Sequence, residues 1–326
     1  MSVRPVLAVL CGGLMDSVPD WEVLRPLARV EVASCADDLA GLLPDADILF
    51  LWDFRFGQLD VMLPAARELK WVHVAGVGVD AIVSPALASS GVIVTNSRTV
   101  FDDAIAEYVA GLLLAWVKDF SGTWRRQAGC MWQHRTTRML KGQRIAVVGT
   151  GSIGCRIGSV LNSLGATITL VGRRSGTHPE LGRIVPSSHL TEIASQVGAL
   201  VLAAPLTPLT EGIVKRATLA ALGPDGYLVN VGRGALVLEP DLVEALSAGE
   251  LGGAALDVFE HEPLPSRSPL WAMPNVVISP HMSGDFDGYE TALMQDFAQN
   301  LRKWLVSGRL DNIVDINLGY VPRAGF

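Results

Sequence analysis

The chain has 326 residues, of which 49% are hydrophobic and 18% are charged, so it is long enough for two domains with separate cores. Its net charge of −7, without a clustered Lys/Arg tract, gives no electrostatic basis for binding nucleic acid or an anionic membrane. The low charged fraction indicates extensive burial, and we expect part of the apolar surface to lie in a homodimer interface.

Two segments have features of export or membrane signals. Pro5–Met15 is apolar and follows Arg4, as in a signal sequence, but a buried first strand of a parallel sheet has the same pattern, and we favour the strand. Pro205 and Pro208 make the charge-free stretch 193–210 a poor membrane helix. The cysteines are too widely spaced for a zinc site or a disulfide scaffold, so we expect no metal, reduced thiols and a cytoplasmic location; they are Cys11, Cys35, Cys130 and Cys155.

Short apolar runs alternate with amphipathic segments along the first hundred residues. The runs predict strands and the segments between them predict helices. This alternation is typical of a parallel sheet, whose predicted strands are Val6–Leu10, Ile48–Trp52, Trp71–Val74 and Val92–Thr95. Within the third run, His73 is expected to be a packed core histidine.

A long helix and a second series of strands come next. Apolar residues recur at helical spacing from Ile105 to Trp116, which predicts a helix that extends to Lys118. Asp102 precedes this pattern and is expected to cap the helix, because Asp is favoured at the N-cap. The strands that follow indicate a doubly wound dinucleotide-binding domain, and they are Ile145–Val148, Thr167–Val171, Leu200–Ala203, Tyr227–Asn230, Ala254–Asp257 and Val276–Ile278.

After Gly284, the spacing of Leu293, Phe297 and Leu301 predicts a final long helix that returns to the first domain. The sequence therefore predicts an α/β fold with two doubly wound parallel-sheet domains. A Rossmann cofactor domain (99–283) is inserted into a flavodoxin-like substrate domain (1–98 plus 284–326), and we expect ligands to bind in a cleft between them.

A glycine pattern, Gly149-Thr150-Gly151-Ser152-Ile153-Gly154, follows the strand that ends at Val148 and opens a helix. In such a pattern Gly149 permits the tight turn, Gly151 lets the backbone approach a pyrophosphate, and Gly154 lets the helix pack on the strand. The helix N-terminus, beginning with Ser152 and Ile153, supplies oriented N–H groups to the anion. The motif predicts a dinucleotide site.

The residue at the end of the next strand indicates which dinucleotide is preferred. An NAD enzyme places Asp or Glu there, against the ribose 2′-hydroxyl, whereas this chain has Arg173, followed by Arg174 and Ser175. Two guanidinium groups and a hydroxyl suit a 2′-phosphate, so we expect NADP(H) to be preferred over NAD(H). The alternative is that these arginines form a solvated loop or stack on adenine.

Three short motifs together suit the reduction of a 2-oxo acid. Arg233, in Val229–Gly234, can bind two acceptor oxygens of the substrate through its planar guanidinium. His281, in Ser279-Pro280-His281, can donate a proton to the developing alkoxide, and Glu262 can keep that imidazole protonated. All three follow predicted strands of the cofactor domain, where ligands bind. We therefore predict that Arg233, Glu262 and His281 are catalytic.

At this point the chain resembles the D-isomer-specific 2-hydroxyacid dehydrogenase family, most specifically in 229–237, 254–265 and 275–284. The resemblance implies that Arg233 binds substrate, that Glu262 and His281 form the acid pair, and that Asp257 holds the nicotinamide carboxamide; Val231 is included with the cofactor-binding residues. It further implies that Gly76–Asp80 is the substrate-carboxylate loop, with backbone N–H groups of Val77 and Gly78 binding the anion.

The implied reaction is the reduction of glyoxylate, hydroxypyruvate or a bulkier 2-oxo acid to a D-2-hydroxy acid. The alternative is a non-catalytic scaffold of the same fold, like the nucleotide-gated co-repressors that resemble this family. Formate dehydrogenases pair their histidine with Gln, whereas this chain has Glu262, so formate is disfavoured. Two departures from the family are Arg173 in place of an acidic residue and Arg98–Asp102 in place of a turn of small residues. Aromatic residues at the positions of Trp52, Phe54 and Trp132 are more often part of a core or an interface, although these three would also suit the lining of the substrate pocket or a dimer arm.

Overall fold

The computed structural model describes residues 4–12 and 21–322, which belong to two compact units. The first unit comprises 1–100 and 286–325, and the second comprises 101–285. Gly13–Met15, at the end of the apolar N-terminal segment, and the chain beyond Pro322 lie outside the described residues.

The first unit is built on a five-stranded parallel sheet. Its strands are β1 Val6–Leu10, β2 Arg29–Ala33, β3 Ile48–Leu51, β4 Trp71–Val74 and β5 Ile93–Asn96, in the order β2-β1-β3-β4-β5. Every residue of β3 and β4 is buried, as expected for strands covered by helices on both faces. The strand order is that of flavodoxin-like folds. The helices along this part of the chain are α1 Ala36–Leu42, α2 Leu59–Met62 and α3 Pro85–Ser89.

The second unit contains an eight-stranded sheet with the order β13-β12-β11-β10-β6-β7-β9-β8. All neighbours are parallel except β8 and β9, and six of the strands reproduce the 3-2-1-4-5-6 order of a dinucleotide-binding sheet. The strands are β6 Arg144–Val148, β7 Thr167–Gly172, β8 Gly176–His178, β9 Gly182–Pro186, β10 Ala199–Leu202, β11 Tyr227–Asn230, β12 Gly253–Leu256 and β13 Val276–Ile278. The helices are α4 Asp102–Val117, α5 Phe120–Ala128, α6 Ser152–Ser163, α7 Leu190–Ala194, α8 Arg216–Leu222 and α9 Glu239–Ser247.

The C-terminal helix α10, Tyr289–Ser307, belongs to the first unit. Its buried face carries Phe297, which stacks on Phe50 of β3 with ring centroids 4.2 Å apart and lies 5.2 Å from the Trp71 ring of β4. Aromatic contacts of this kind contribute beyond the area they bury. The helix therefore closes one face of the first sheet, as its apolar spacing predicts.

The predicted fold class is confirmed, with corrections at the level of single elements. The prediction that Asp102 caps a helix is wrong, because Phe101 occupies the N-cap position and Asp102 is the first helical residue. Its carboxylate lies instead in the first turn, where the helix dipole favours negative charge. Three strands, β2, β8 and β9, were not predicted. They are short and lie at or near sheet edges, where exposed positions weaken the apolar pattern. His73 is fully buried, as expected.

Candidate active site

The carboxyl ends of five neighbouring strands of the second unit lie in register. Val148, Leu202, Asn230, Leu256 and Ile278 are paired across β6, β10, β11, β12 and β13. The loops that leave this edge carry the glycine motif, the arginine, the glutamate and the histidine. Parallel pairing therefore brings motifs that are far apart in the sequence to a single edge, which is where doubly wound sheets bind ligands.

The glycine turn between β6 and α6 is possible only without side chains at two positions. Gly149 has φ of 121°, and a Cβ there would collide with the backbone of Ala203. A Cβ on Gly154 would collide with the carbonyl of Gly149. The N-cap of α6, Gly151, has no side chain to occupy the N–H groups at Ser152 and Ile153. This backbone cradle at a helix N-terminus fits a dinucleotide pyrophosphate.

Arg173, Arg174 and Ser175 form an exposed segment between β7 and the β8–β9 hairpin. The segment directly follows the strand next to the glycine turn, and Gly172 packs against Thr150 of that turn so closely that a Cβ would lie 2.9 Å from the threonine methyl. Three hydrogen-bond donors therefore lie where a dinucleotide's ribose is held in this fold. Their chemistry fits a 2′-phosphate.

Arg233 lies in a turn that Asn230 shapes at the end of β11. The Asn230 side chain accepts a hydrogen bond from the N–H of Gly232 at 3.1 Å and donates one to the carbonyl of Arg233 at 2.9 Å. The Arg233 Nη1 donates to the Gly232 carbonyl at 2.8 Å, and the N–H of Val231 donates to the carbonyl of Leu202 at 3.1 Å. Short Asx-type bonds like these fix the direction in which the guanidinium leaves the strand.

Glu262 and His281 form a hydrogen-bonded pair. Glu262 Oε2 lies 2.8 Å from His281 Nδ1, and Glu262 Oε1 accepts the N–H of Phe259 at 3.1 Å. Because an ionised carboxylate only accepts, the Nδ1–H of His281 donates to Glu262, and this bond fixes the orientation of the ring. The two side chains are only 21% and 23% exposed, so solvent screens their interaction weakly. Gly234, in the turn after β11, packs directly on the backbone of Phe259, with which a Cβ at this position would collide. Because the N–H of Phe259 binds Glu262, the arginine turn and the Glu262–His281 pair are in contact with the same residue.

Asp257 is buried and binds the loop that carries His281. Its carboxylate accepts hydrogen bonds from the Ser279 hydroxyl at 2.6 Å and from the N–H groups of Met282 and Ser283 at 3.0 and 2.9 Å. Its carbonyl accepts the N–H of His281 at 2.8 Å. His281 has φ of 56°, a left-handed conformation that is costly for a residue with a Cβ, so the loop needs this support.

The structure thus places Arg233, Glu262 and His281 on neighbouring loops of one sheet edge. The supporting residues Asn230, Ser279 and Ser283 were not predicted from the sequence, although Asn230 carries a signal, since Asn at the end of a buried strand favours turns. Val77 and Gly78 lie in the first unit, in the loop after β4. Trp52 is a core residue, with ring contacts to Trp21 and Phe50.

Within the described ranges, 4–12 and 21–322, no group of three or more His, Cys, Asp or Glu is arranged to hold a metal ion. No helix of those ranges combines the length and the apolar character needed to cross a bilayer.

Comparison with known proteins identifies relatives along most of the chain. Residues 110–283 match the model of the D-isomer specific 2-hydroxyacid dehydrogenase NAD-binding domain. Over 228 residues the chain is 36% identical to hydroxyphenylpyruvate reductase of Plectranthus scutellarioides, covering 68% of this chain and 70% of that protein. It is 29% identical over 313 residues to D-3-phosphoglycerate dehydrogenase of Methanocaldococcus jannaschii, covering 93% of this chain but 58% of that longer protein.

Solved structures of the same family are similar to this chain over nearly its full length. The NADPH-dependent glyoxylate/hydroxypyruvate reductase of Sinorhizobium meliloti, determined with NADP and malonate, superposes with a TM-score of 0.80 at 29% identity and covers 98% of this chain and 99% of that chain. Both the sequence and the fold are therefore similar to those of dinucleotide-dependent reductases.

Proposed function

Since the chain belongs to the D-isomer-specific 2-hydroxyacid dehydrogenase family, we propose that it reduces a 2-oxo acid to a D-2-hydroxy acid with hydride from NADPH. Membership makes the protein an NAD(P)-dependent oxidoreductase. The observation that carries this proposal is the 2.8 Å hydrogen bond between Glu262 and His281, which holds a proton donor in one orientation at the sheet edge that also carries the glycine turn. The scaffold alternative is not favoured, because an interaction module has no use for a paired acid at this position.

The proposed chemistry assigns one role to each side chain. A bound nicotinamide dinucleotide supplies the hydride. Arg233 binds the substrate's carbonyl and carboxylate oxygens and aligns the ketone. Glu262 holds the Nδ1 proton of His281, so Nε2 of the imidazolium donates the proton that the alkoxide receives. Backbone N–H groups of Val77 and Gly78 bind the substrate carboxylate, as in an anion nest.

The substrate class follows from the chemistry of the site and from the relatives. A guanidinium and an imidazolium suit a substrate that carries both a carboxylate and an adjacent ketone. Relatives are named as reductases of hydroxyphenylpyruvate and of glyoxylate and hydroxypyruvate, all of which are 2-oxo acids. We propose glyoxylate, hydroxypyruvate or a bulkier 2-oxo acid.

The test is a panel of these acids with purified protein, in which NADPH consumption is followed by absorbance. We expect turnover of at least one acid, and we expect His281→Ala to lower kcat by roughly 100-fold or more, as the loss of a general acid does. Parental turnover in His281→Ala on every acid would contradict the assignment. Glu262→Ala should also lower kcat, because the Nδ1–H of His281 loses the acceptor that orients the ring.

NADP(H) is proposed as the preferred cofactor, with Arg173, Arg174 and Ser175 binding the 2′-phosphate. The support is the exposed, donor-rich segment after β7. Arg173→Asp should lower the ratio of kcat/KM for NADPH to that for NADH by roughly 10- to 100-fold, the value of one charge-assisted hydrogen bond. Arg302→Asp, a charge reversal at an exposed position of α10, is the matched control and should leave the ratio unchanged. A parental ratio below one would contradict the preference.

A homodimer is proposed from an apolar surface on the second unit. We call it the arm surface, and it consists of Phe120 and Trp124 of α5 with Met131 and Trp132 of the segment that follows. Their exposed fractions are 43%, 60%, 57% and 104%. Exposed apolar side chains that include two tryptophans are typical of a protein interface, and a second copy of the chain is the partner that the symmetry of enzyme oligomers favours.

A further inference from the structure

The loop Gly76–Asp80 holds two backbone N–H groups whose orientation is set by the end of β5. Val77 and Gly78 are half-buried. Within ranges 4–12 and 21–322, no backbone or side-chain acceptor takes a hydrogen bond from either N–H. Successive backbone N–H groups that have no acceptor within the protein can bind an external anion, so these groups are suited to an external acceptor.

Asn96, the last residue of β5, is bound to this loop. Its side chain is 2% exposed, and Nδ2 donates to the carbonyl of Val77 at 2.6 Å. The opposite amide orientation is excluded because it would place two acceptor oxygens against each other. Asn96 Oδ1 is buried and has no hydrogen-bond partner among the described residues. A buried amide oxygen without a hydrogen bond lowers the stability of the protein. The retention of Asn at this position therefore indicates that its Nδ2 bond to the Val77 carbonyl serves a function in the loop.

Because the peptide group is planar, the Asn96 bond to the Val77 carbonyl also determines the direction of the Gly78 N–H. The Val77 carbonyl and the Gly78 N–H belong to one trans peptide, so they point in opposite directions. When Asn96 holds the carbonyl, the Gly78 N–H must point away from β5. In the same way, the N–H of Ser97 donates to the Gly76 carbonyl at 3.0 Å, which directs the Val77 N–H away from β5.

The end of β5 is a rigid base for these bonds. Asn96 pairs in register with Val74 of β4. The Ser97 hydroxyl lies 3.1 Å from Nε2 of the fully buried His73, and burial raises the pKa of Asp296, which bonds to the same hydroxyl, to about 6. His73 Nδ1 lies 2.7 Å from the Thr95 hydroxyl, which accepts the indole N–H of Trp71 at 2.7 Å. Such satisfied buried networks hold one geometry.

We propose that Asn96 is a positioning residue, which fixes the Val77–Gly78 peptide so that the Gly78 N–H points at the carboxylate of the substrate. The inference rests on the proposed function, because it requires that the loop bind a 2-oxo acid. Asn96 itself does not touch the substrate. The substrate carboxylate keeps its charge throughout the reaction, so this contact is equally strong in the ground state and in the transition state.

The test is Asn96→Asp, which keeps the size and shape of the side chain but replaces the donor with an acceptor. The Val77 carbonyl then faces a carboxylate oxygen, and the peptide rotates away. We expect KM for glyoxylate, and the inhibition constant of oxalate as an unreactive dicarboxylate probe, to rise together by roughly 10- to 100-fold, as for a lost charge-assisted hydrogen bond. Because the lost contact stabilises the bound substrate and the transition state equally, kcat should stay within about threefold of the parent. The Kd of NADPH should not change.

Asn300→Asp is the matched control. Asn300 is also buried, lies in the first unit, and donates its amide to a backbone carbonyl, that of Asp311 at 3.2 Å. If Asn96 had only a structural role, both variants would lose thermal stability and neither would change KM or oxalate binding, and this result would overturn the inference. Selective weakening of oxalate in Asn96→Asp alone would support it.

A failure of the proposed function is distinguishable from a failure of the inference. A parent protein that turns over no 2-oxo acid contradicts the function. Calorimetric titration of NADP-loaded parent and variants with oxalate still tests Asn96 in that case, because it measures anion binding without turnover. Equal oxalate affinity in the parent and in Asn96→Asp would refute the positioning role.

Discussion

Asp257→Asn tests whether the buried carboxylate holds the His281 loop. In the parent, Oδ1 accepts the Ser279 hydroxyl and the Met282 N–H, and Oδ2 accepts the Ser283 N–H. An asparagine can keep its single oxygen at the two-donor position, but its NH₂ then faces the Ser283 N–H. One buried donor loses its acceptor, and two donors are placed against each other.

The magnitude follows from that count. One hydrogen bond to a charged group is worth about 1.5–3 kcal/mol, and the bonds that remain change from charged to neutral acceptors. His281 is held at φ of 56°, a conformation that costs of order 1–3 kcal/mol, so the loop relaxes when its support weakens. At about 1.4 kcal/mol per factor of ten, we expect kcat to fall by roughly 10- to 100-fold.

The assay separates this role from the other role proposed for Asp257, which is to bind the nicotinamide carboxamide. If the carboxylate acts through the histidine loop, kcat falls, while the fluorescence-measured Kd of NADPH stays at the parental value. If it binds the cofactor, the Kd rises. Asp241→Asn is the control, since Asp241 accepts one backbone N–H, that of Arg216 at 2.7 Å, away from the sheet edge. Parental kcat in Asp257→Asn would refute the reasoning.

Three further outcomes are expected. His73 is fully buried, and burial lowers its pKa from 6.5 to about 3, so the uncharged ring contributes stability that is complete above pH 6.5 and is lost as the pH falls towards 3. Between pH 8 and pH 5, the unfolding free energy of the parent, measured by urea denaturation, should fall by about 2 kcal/mol more than that of His73→Gln. Equal losses in the two proteins would contradict the buried neutral ring. Gly154→Ala and Gly151→Ala should both weaken NADPH binding, but only Gly154→Ala should lower the thermal midpoint, because a Cβ on Gly154 meets the Gly149 carbonyl and one on Gly151 meets nothing within 4 Å. Trp132→Ser should shift the protein towards monomer in sedimentation velocity at low micromolar concentration, and an unchanged sedimentation coefficient with intact dimer would remove Trp132 from the interface.

Much of the fold was predictable because a buried parallel strand leaves a strong local signal. Four strand ranges, Val6–Leu10, Trp71–Val74, Tyr227–Asn230 and Val276–Ile278, agree with the structure to the residue. Edge strands such as β2 leave a weaker signal, since Arg29 is exposed and the alternation covers only five residues. Asp102 was misassigned because Asp is favoured both at the N-cap and in the first turn of a helix, and the sequence does not distinguish these adjacent positions.

The amino-acid sequence by itself determined the identities of the chemical groups: the glycine turn, the donors after β7, and the arginine, glutamate and histidine after strands of the second sheet. Only the tertiary structure decided how these groups are held. The 2.8 Å pairing of His281 with Glu262, the three donors on Asp257 and the Asn96 bond to Val77 join residues 19 to 26 positions apart. The physical reason is that strand pairing sets which loops become neighbours, whereas local propensity acts over only a few residues and carries no information about distant partners.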